Sequence, residues 1–210
     1  IMGLGYVGLP LAVNLSFHFD IKGFDISKKR VVDLKKGIDE TLEVTNSQLK
    51  KALKKKLQIT DNLTDISDCN VFIVTVPTPI DKKNNPNFNP LRDVCKKISK
   101  LLKKGDIVIF ESTVYPGATE EICAKELEKN ENSFKSGVDF FLGYSPERVN
   151  PGDKKRTIDK INKVISGQNK RVEKILYEIY GKLTTGDIFL AKNIKVAEAS
   201  KVIENAQRDI

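Results

Sequence analysis

Tryptophan is absent from this 210-residue chain, and histidine and methionine occur once each. A lone histidine, His18, excludes multi-histidine metal sites and gives a Ser/His/Asp apparatus little to work with. Proton transfer must then fall to carboxylate, lysine, hydroxyl or water. Cysteine is scarce too: Cys69, Cys95 and Cys123 are odd in number and far apart, so neither a disulfide framework nor a CxxC metal site is available, and a reducing, cytoplasmic setting is expected. No run approaches the roughly 18–20 apolar residues of a membrane span, and no charged head with an apolar run opens the chain. Arginine is thin as well, with six residues against thirty lysines in a net charge of +8. Arginine supplies the forked contacts to phosphate and guanine, so this excess argues for a solvated surface and against a nucleic-acid partner. The densest cluster, Lys50, Lys51, Lys54, Lys55 and Lys56, reads as the wet face of a helix whose other face carries Leu49, Leu53 and Leu57.

What is present is an alternation of short apolar runs with amphipathic segments, the pattern of an α/β fold. Strands are expected at Ile21–Asp25, Val71–Val76, Ile107–Glu111, Phe140–Tyr144 and Val164–Ser166, each apolar enough to be covered on both faces of a mainly parallel sheet. The spacing of Leu91, Val94, Cys95, Ile98, Leu101 and Leu102 predicts a helix stopped near Gly105, and Ile122, Cys123 and Leu127 predict another after Pro116-Gly117. Cys95 and Cys123 are then core residues. Asp81–Pro90, rich in Asn, Lys and Pro, reads as a loop, and Lys195–Ile210 as a helix without a stop signal.

Gly3-Leu-Gly5-Tyr6-Val7-Gly8, opening a helix with Pro10 in its first turn, matches GxGxxG. In that motif the first glycine makes a tight turn, the second lets a pyrophosphate reach the backbone, and the third lets helix pack on strand. Asp25, about twenty residues on at the end of a strand, is placed to accept from adenosine ribose hydroxyls and to repel a 2′-phosphate, which favours NAD over NADP although Lys28, Lys29 and Arg30 lie nearby. The alternative for Asp25 is a surface turn residue. Only Ile1-Met2 precede the loop, so most of the first strand is expected upstream of residue 1.

Further stretches accumulate: Val76-Pro-Thr-Pro79, Glu111-Ser-Thr-Val-Tyr-Pro-Gly-Ala-Thr119, Gly143-Tyr-Ser-Pro-Glu-Arg-Val-Asn-Pro-Gly152, and the segment from Lys195 to Arg208 that carries Lys201 and Asn205. With the glycine loop they resemble the UDP-glucose/GDP-mannose dehydrogenase family, most of all its UDP-N-acetylhexosamine branch. The resemblance implies a Rossmann-like doubly wound sheet with helices on both faces over residues 1–192, and the start of a long connecting helix over 193–210. It also implies a UDP-binding domain and a cysteine nucleophile beyond residue 210, because none of the three cysteines here matches that nucleophile.

The activity it implies is oxidation of C6 of a UDP-sugar to the uronic acid by two NAD+ through a thioester, for surface polysaccharide precursors, in a homodimer built on the connecting helix. The implied cofactor contacts are Gly3, Gly5, Tyr6, Val7, Gly8, Asp25, Arg30, Pro77, Thr78 and Thr113. Implied catalytic groups are Thr113, Glu147, Lys201 and Asn205. Glu147, Arg148, Val149, Asn150, Lys201 and Asn205 would meet the substrate. Read without the resemblance, Thr78 and Thr113 can be turn-capping hydroxyls, Glu147 an exposed loop acid, and Lys201 part of a helix surface paired with Glu198. UDP-glucose oxidation, a non-catalytic NAD sensor and, more distantly, a nucleic-acid binder are the competing functions.

Overall fold

The computed structural model describes residues 1–80, 86–147 and 160–209. Among these residues seven strands run: β1 Ile21–Phe24, β2 Leu57–Thr60, β3 Val71–Val74, β4 Ile107–Phe110, β5 Phe141–Tyr144, β6 Lys163–Gly167 and β7 Ile188–Leu190. The helices are α1 Gly8–Leu15, α2 Lys28–Lys35, α3 Asn46–Lys54, α4 Asn89–Ser99, α5 Ala124–Leu127, α6 Lys170–Leu183 and α7 Ile194–Asp209, with a π-turn at Thr119–Cys123 leading into α5. A parallel β1–β2 pair and a β3-β4-β5-β6-β7 sheet are joined through Met2, which bridges Phe24 and Val74 in parallel fashion. Every pairing is parallel except β5 with β6.

Alternation explains why the strands are continuously apolar. Phe72, Val74, Val108 and Phe110 point into the core under α4 and α5, while Ile73, Ile107 and Ile109 point into the core under α1 and α6. Both faces are thus covered, as a parallel sheet requires. A third core joins α1, α2 and α3 around Leu9, Leu34, Leu49 and Ile59. Cys95 and Cys123 are buried core residues, as the helical spacing predicts. Among the described residues no helix is long and apolar enough to cross a membrane.

The differences from the sequence reading are local. Leu57 does not continue the lysine-rich helix: α3 ends at Lys54, and Leu57 opens β2, where Leu57, Ile59 and Thr60 are buried. The short β7 was also unforeseen, because Phe189 and Leu190 stay exposed and give no burial pattern. α4 stops at Ser99 rather than at Leu102, and Gly105, with φ +89°, serves the turn into β4 instead of capping the helix. Its start at Asn89, with Pro90 in the first turn, shortens the expected loop. The five lysines near α3 are exposed, as expected.

Candidate functional site

The glycine loop lies between Met2 and α1, at the carboxyl ends of β1 and β3. Gly3 has φ +98°, a conformation L side chains rarely adopt. A Cβ on Gly8 would overlap the Gly3 carbonyl oxygen and the Thr75 hydroxyl, so this position needs glycine for helix and turn to meet. At Gly5, by contrast, a Cβ would meet nothing within 4 Å. The three positions therefore divide as turn, open approach and close packing. α1 begins here with no side chain capping its amides, which leaves its N-terminus open to an anion.

The peptide of Leu4, inside the loop, is held at both ends. Its N–H donates to Asp25 Oδ2 at 2.8 Å, and its carbonyl accepts from Arg30 Nε at 3.0 Å and Nη2 at 2.8 Å. Asp25 Oδ1 also accepts from the Ser27 amide, which shapes the turn ahead of α2. Since each carboxylate oxygen has about two lone-pair sites, Asp25 keeps acceptor capacity for ribose hydroxyls. Arg30 is turned inward, with Nη2 2.8 Å from Asp39 Oδ1, and its buried Nη1 has no hydrogen-bond partner among the described residues. Burial would raise the Asp39 pKa, but hydrogen bonds from Thr41, the Val44 amide and Arg30 outweigh it and hold the carboxyl below its ordinary value.

A cleft of about 490 Å³ opens beside the loop, lined by Gly3, Gly5, Asp25 and Pro77 from the predicted set. Asn87, Asn89, Asp93 and Lys97 line it as well. Sequence reasoning missed these four. Asn87 sits in the segment taken for a loop, and Asp93 and Lys97 lie one turn apart on a helix read only for its apolar face. Tyr6 is exposed and Val7 half-buried at the loop's tip.

Along the same carboxyl edge, the Thr78 hydroxyl donates to the Thr113 carbonyl at 2.6 Å and ties the segments after β3 and β4 together. This is a tether between two loops 35 residues apart in the chain, not the capping of a turn or helix. Thr113 itself is exposed. Glu147 follows β5 and is only 7% exposed, so it is not an exposed loop acid. Its Oε2 is 3.6 Å from Lys163 Nζ, which in turn is 3.1 Å from Glu111 Oε2. Lys163 was also missed: a lysine heading an apolar run reads as the wet end of a strand, yet here it is fully buried. Arg148, Val149 and Asn150 lie outside the described residues.

On α7, Lys201 is buried and Asn205 half-buried, one turn apart. Glu198 is not at the surface: it is fully buried, with one carboxylate oxygen accepting from the Gly117 amide and the other from the Thr119 amide at 2.9 Å. Burial raises its pKa against those hydrogen bonds. Through this contact α7 is pinned to the loop after β4, the loop that also carries Thr113. No cysteine serves this edge. Cys95 and Cys123 are in the core, and Cys69, whose thiol burial pushes up, lines a separate groove at the opening of β1 and β3.

Comparison with known proteins gives a consistent result. The profile of the UDP-glucose/GDP-mannose dehydrogenase family, NAD binding domain, matches residues 1–184. A UDP-N-acetyl-D-glucosamine 6-dehydrogenase of Pseudomonas aeruginosa is 52% identical over 210 residues, covering 100% of this chain and 49% of the relative. Protein CapL of Staphylococcus aureus is 47% identical over the same span and with the same shares. Among solved structures, a UDP-D-ManNAc dehydrogenase from Pyrococcus horikoshii superposes with a TM-score of 0.92 at 32% identity, covering 100% of this chain and 50% of that one. The chain spans about half the length of the curated relatives it matches.

Proposed function

The chain belongs to the UDP-glucose/GDP-mannose dehydrogenase family and carries its NAD-binding domain, and from that premise we propose that the whole protein oxidises C6 of a UDP-N-acetylhexosamine to the uronic acid. What supports this reading is a glycine cradle open at Gly5 with Asp25 beside it, together with Thr113 and Glu147 after β4 and β5 and the packing of α7, which carries Lys201 and Asn205, on β5 and β6. A non-catalytic NAD sensor needs the first and has no use for the second.

The residues present suit NAD. Gly5 leaves room where a pyrophosphate would approach, the α1 amides face it, and Asp25 retains acceptors for a ribose. In our reading Gly3, Gly5, Tyr6, Val7 and Gly8 cradle the pyrophosphate, with Pro77, Thr78 and Thr113 along the nicotinamide side. Arg30 serves the cofactor by fixing Leu4 in the loop. Bound NAD+ supplies a hydride acceptor. Lys201 and Asn205 offer an ammonium and an amide to an oxyanion at C6, where fixed donors in a dry site are worth several kcal/mol, about 10²–10³ in rate per donor. Glu147 handles a proton through water that the Thr113 hydroxyl helps to place. Arg148, Val149 and Asn150 border the sugar.

Formation of a thioester requires a thiol that the three cysteines here do not supply, so it belongs to the remainder of the protein, together with the UDP-binding domain. We assign residues 1–192 to the NAD-binding domain and residues 193–210 to the start of the connecting helix. Val196, Val202 and Ile203, half-exposed on α7, support a homodimer through that helix, and we assign the reaction to the cytoplasm. The test is to incubate the complete protein with NAD+ and UDP-N-acetylglucosamine, UDP-N-acetylgalactosamine, UDP-N-acetylmannosamine or UDP-glucose. Two NADH per sugar from an N-acetyl sugar is the expected result. Turnover of UDP-glucose alone shifts the branch, and NAD binding without turnover of any sugar leaves the sensor.

A further inference from the structure

Beneath the carboxyl edge lies a dry polar cluster assembled from four elements. Lys163 opens β6, Glu111 follows β4, Glu147 follows β5, and Tyr180 sits on α6. Lys163, Glu111 and Tyr180 are each at most 1% exposed. The ammonium lies 3.1 Å from Glu111 Oε2, 3.6 Å from Glu147 Oε2 and 5.0 Å from the centre of the Tyr180 ring. The Tyr180 hydroxyl donates to Glu111 Oε1 at 2.6 Å. One cation thus serves two carboxyls, and one of those is fixed a second time by a phenol. Among the described residues, other titratable groups near the cluster are Tyr144 on β5, whose hydroxyl donates to the Ser112 carbonyl and which feels the charges of Glu111 and Glu198, while α7, the helix that carries Glu198 and Lys201, packs on β5 and β6.

Stability alone gives little reason for such a set, because well-packed apolar residues in place of a buried ion pair are often equally stable or more so. Glu111, Lys163 and Tyr180 cannot meet a substrate either. Among the described residues of the cluster, Glu147 is the one with some exposure beyond 1%, and it connects the cluster to the edge. Two carboxyls on one ammonium titrate as a linked set, in which the charge of each depends on the others. Burial foremost, with Lys163 opposing and Glu147 adding to it, pushes Glu111 up to about 7. Burial would lower Lys163, but its two carboxylate neighbours outweigh burial and keep it charged.

We propose that Lys163 is a positioning residue for Glu147: its ammonium, shared with Glu111 and steadied by Tyr180, holds the Glu147 carboxyl at the sheet edge and sets its charge. The effect on turnover rests on the role of Glu147 proposed above, whereas the ionic linkage does not.

The experiment uses the complete protein, labelled with ¹³C at the glutamate side-chain carboxyls, and Glu147→Gln and Glu111→Gln assign the two resonances. In Lys163→Met the Glu147 midpoint rises by about one pH unit or more, a tenfold change in proton affinity, and Lys163→Arg brings it back. The acid limb of kcat moves with it while KM for NAD+ stays within about twofold, a split that general loosening of the fold would not give. An unmoved Glu147 midpoint in folded Lys163→Met overturns the proposal. Should that variant not fold, reciprocity decides: in Glu147→Gln the Glu111 midpoint falls, and its failure to move is equally fatal. If the midpoints shift while no sugar is oxidised, the linkage stands and the enzymatic reading fails; if turnover is normal and no midpoint shifts, the reverse holds.

Discussion

The cradle around Gly5 and the cluster around Lys163 lie at the same edge of one sheet and are built in opposite ways. The cradle is made of backbone: amides, a positive φ and a missing Cβ do the shaping, and Asp25 and Arg30 grip a peptide rather than each other. The cluster is made of buried side chains, in which the Lys163 ammonium faces the carboxylates of Glu111 and Glu147. A backbone site tolerates little added volume, while a side-chain site tolerates little change in charge. Damage to the first should therefore show as steric loss without pH dependence, and damage to the second as pH dependence without steric loss.

The sharpest test of that contrast is a pair of alanines. Gly8→Ala drives a methyl into the Gly3 carbonyl and the Thr75 hydroxyl, both of which hold the turn, so it should cost about 3 kcal/mol or more in denaturant unfolding. Gly5→Ala meets open space and should leave stability within about 1 kcal/mol, yet weaken NAD binding in calorimetry by tenfold or more, roughly 1.4 kcal/mol, because the methyl occupies the pyrophosphate approach. Equal losses of stability in the two variants would break the contrast.

The cluster should answer to pH instead. The Glu111 carboxyl is raised from 4.5 to about 7 in the folded protein. The folded state therefore binds the extra proton between those values, and stability, full below about pH 4.5, falls as pH rises toward 7. The span corresponds to a loss on the order of 3 kcal/mol. Glu111→Gln should remove that part of the slope, seen as a flat difference from wild type below pH 4.5 and a widening one up to 7. A difference curve without slope across the window would show Glu111 to titrate as an ordinary carboxyl.

A smaller effect is expected at the joint between α7 and the loop after β4. Glu198→Ala leaves the Gly117 and Thr119 amides buried without their acceptor, at a cost of about 1–3 kcal/mol. Hydrogen exchange should quicken in α7 and at Thr119 together while β1 and β2 keep their protection, and quickening spread evenly over the chain would argue against a local pin.

The same division decides how much was legible in sequence. Gly3, Gly5, Gly8 and Asp25 lie within the first 25 residues at the spacing of a known motif, and the structure gives each glycine a separate steric role. Both faces of β3 and β4 could be read from their apolar runs, because burial on two sides leaves a continuous signal. Lys163 could not be read so: its partners Glu111 and Glu147 arrive from other strands, and nothing local separates a buried lysine from a wet one. Glu198 misled for the same reason, since the amides it caps are some eighty residues away in the chain. Asp93 and Lys97 were hidden behind an account of α4 confined to its apolar face, and Asn87 lay in the segment that reads as a loop.

The smallest effect expected completes the contrast, because it concerns the same side chain in the opposite surroundings. Lys50, Lys51 and Lys54 on α3 are exposed, and no acidic partner within ion-pair distance is seen for them among the described residues. Changing the three to Gln should alter stability by no more than about 0.5 kcal/mol and leave NAD binding untouched, since solvated charges away from a site contribute little. Were the triple change to weaken NAD binding appreciably at low salt and not at high salt, the basic face would be steering the anionic cofactor toward the cradle. Equal affinities at both salt levels would leave this solvated face of α3 without a part in NAD binding.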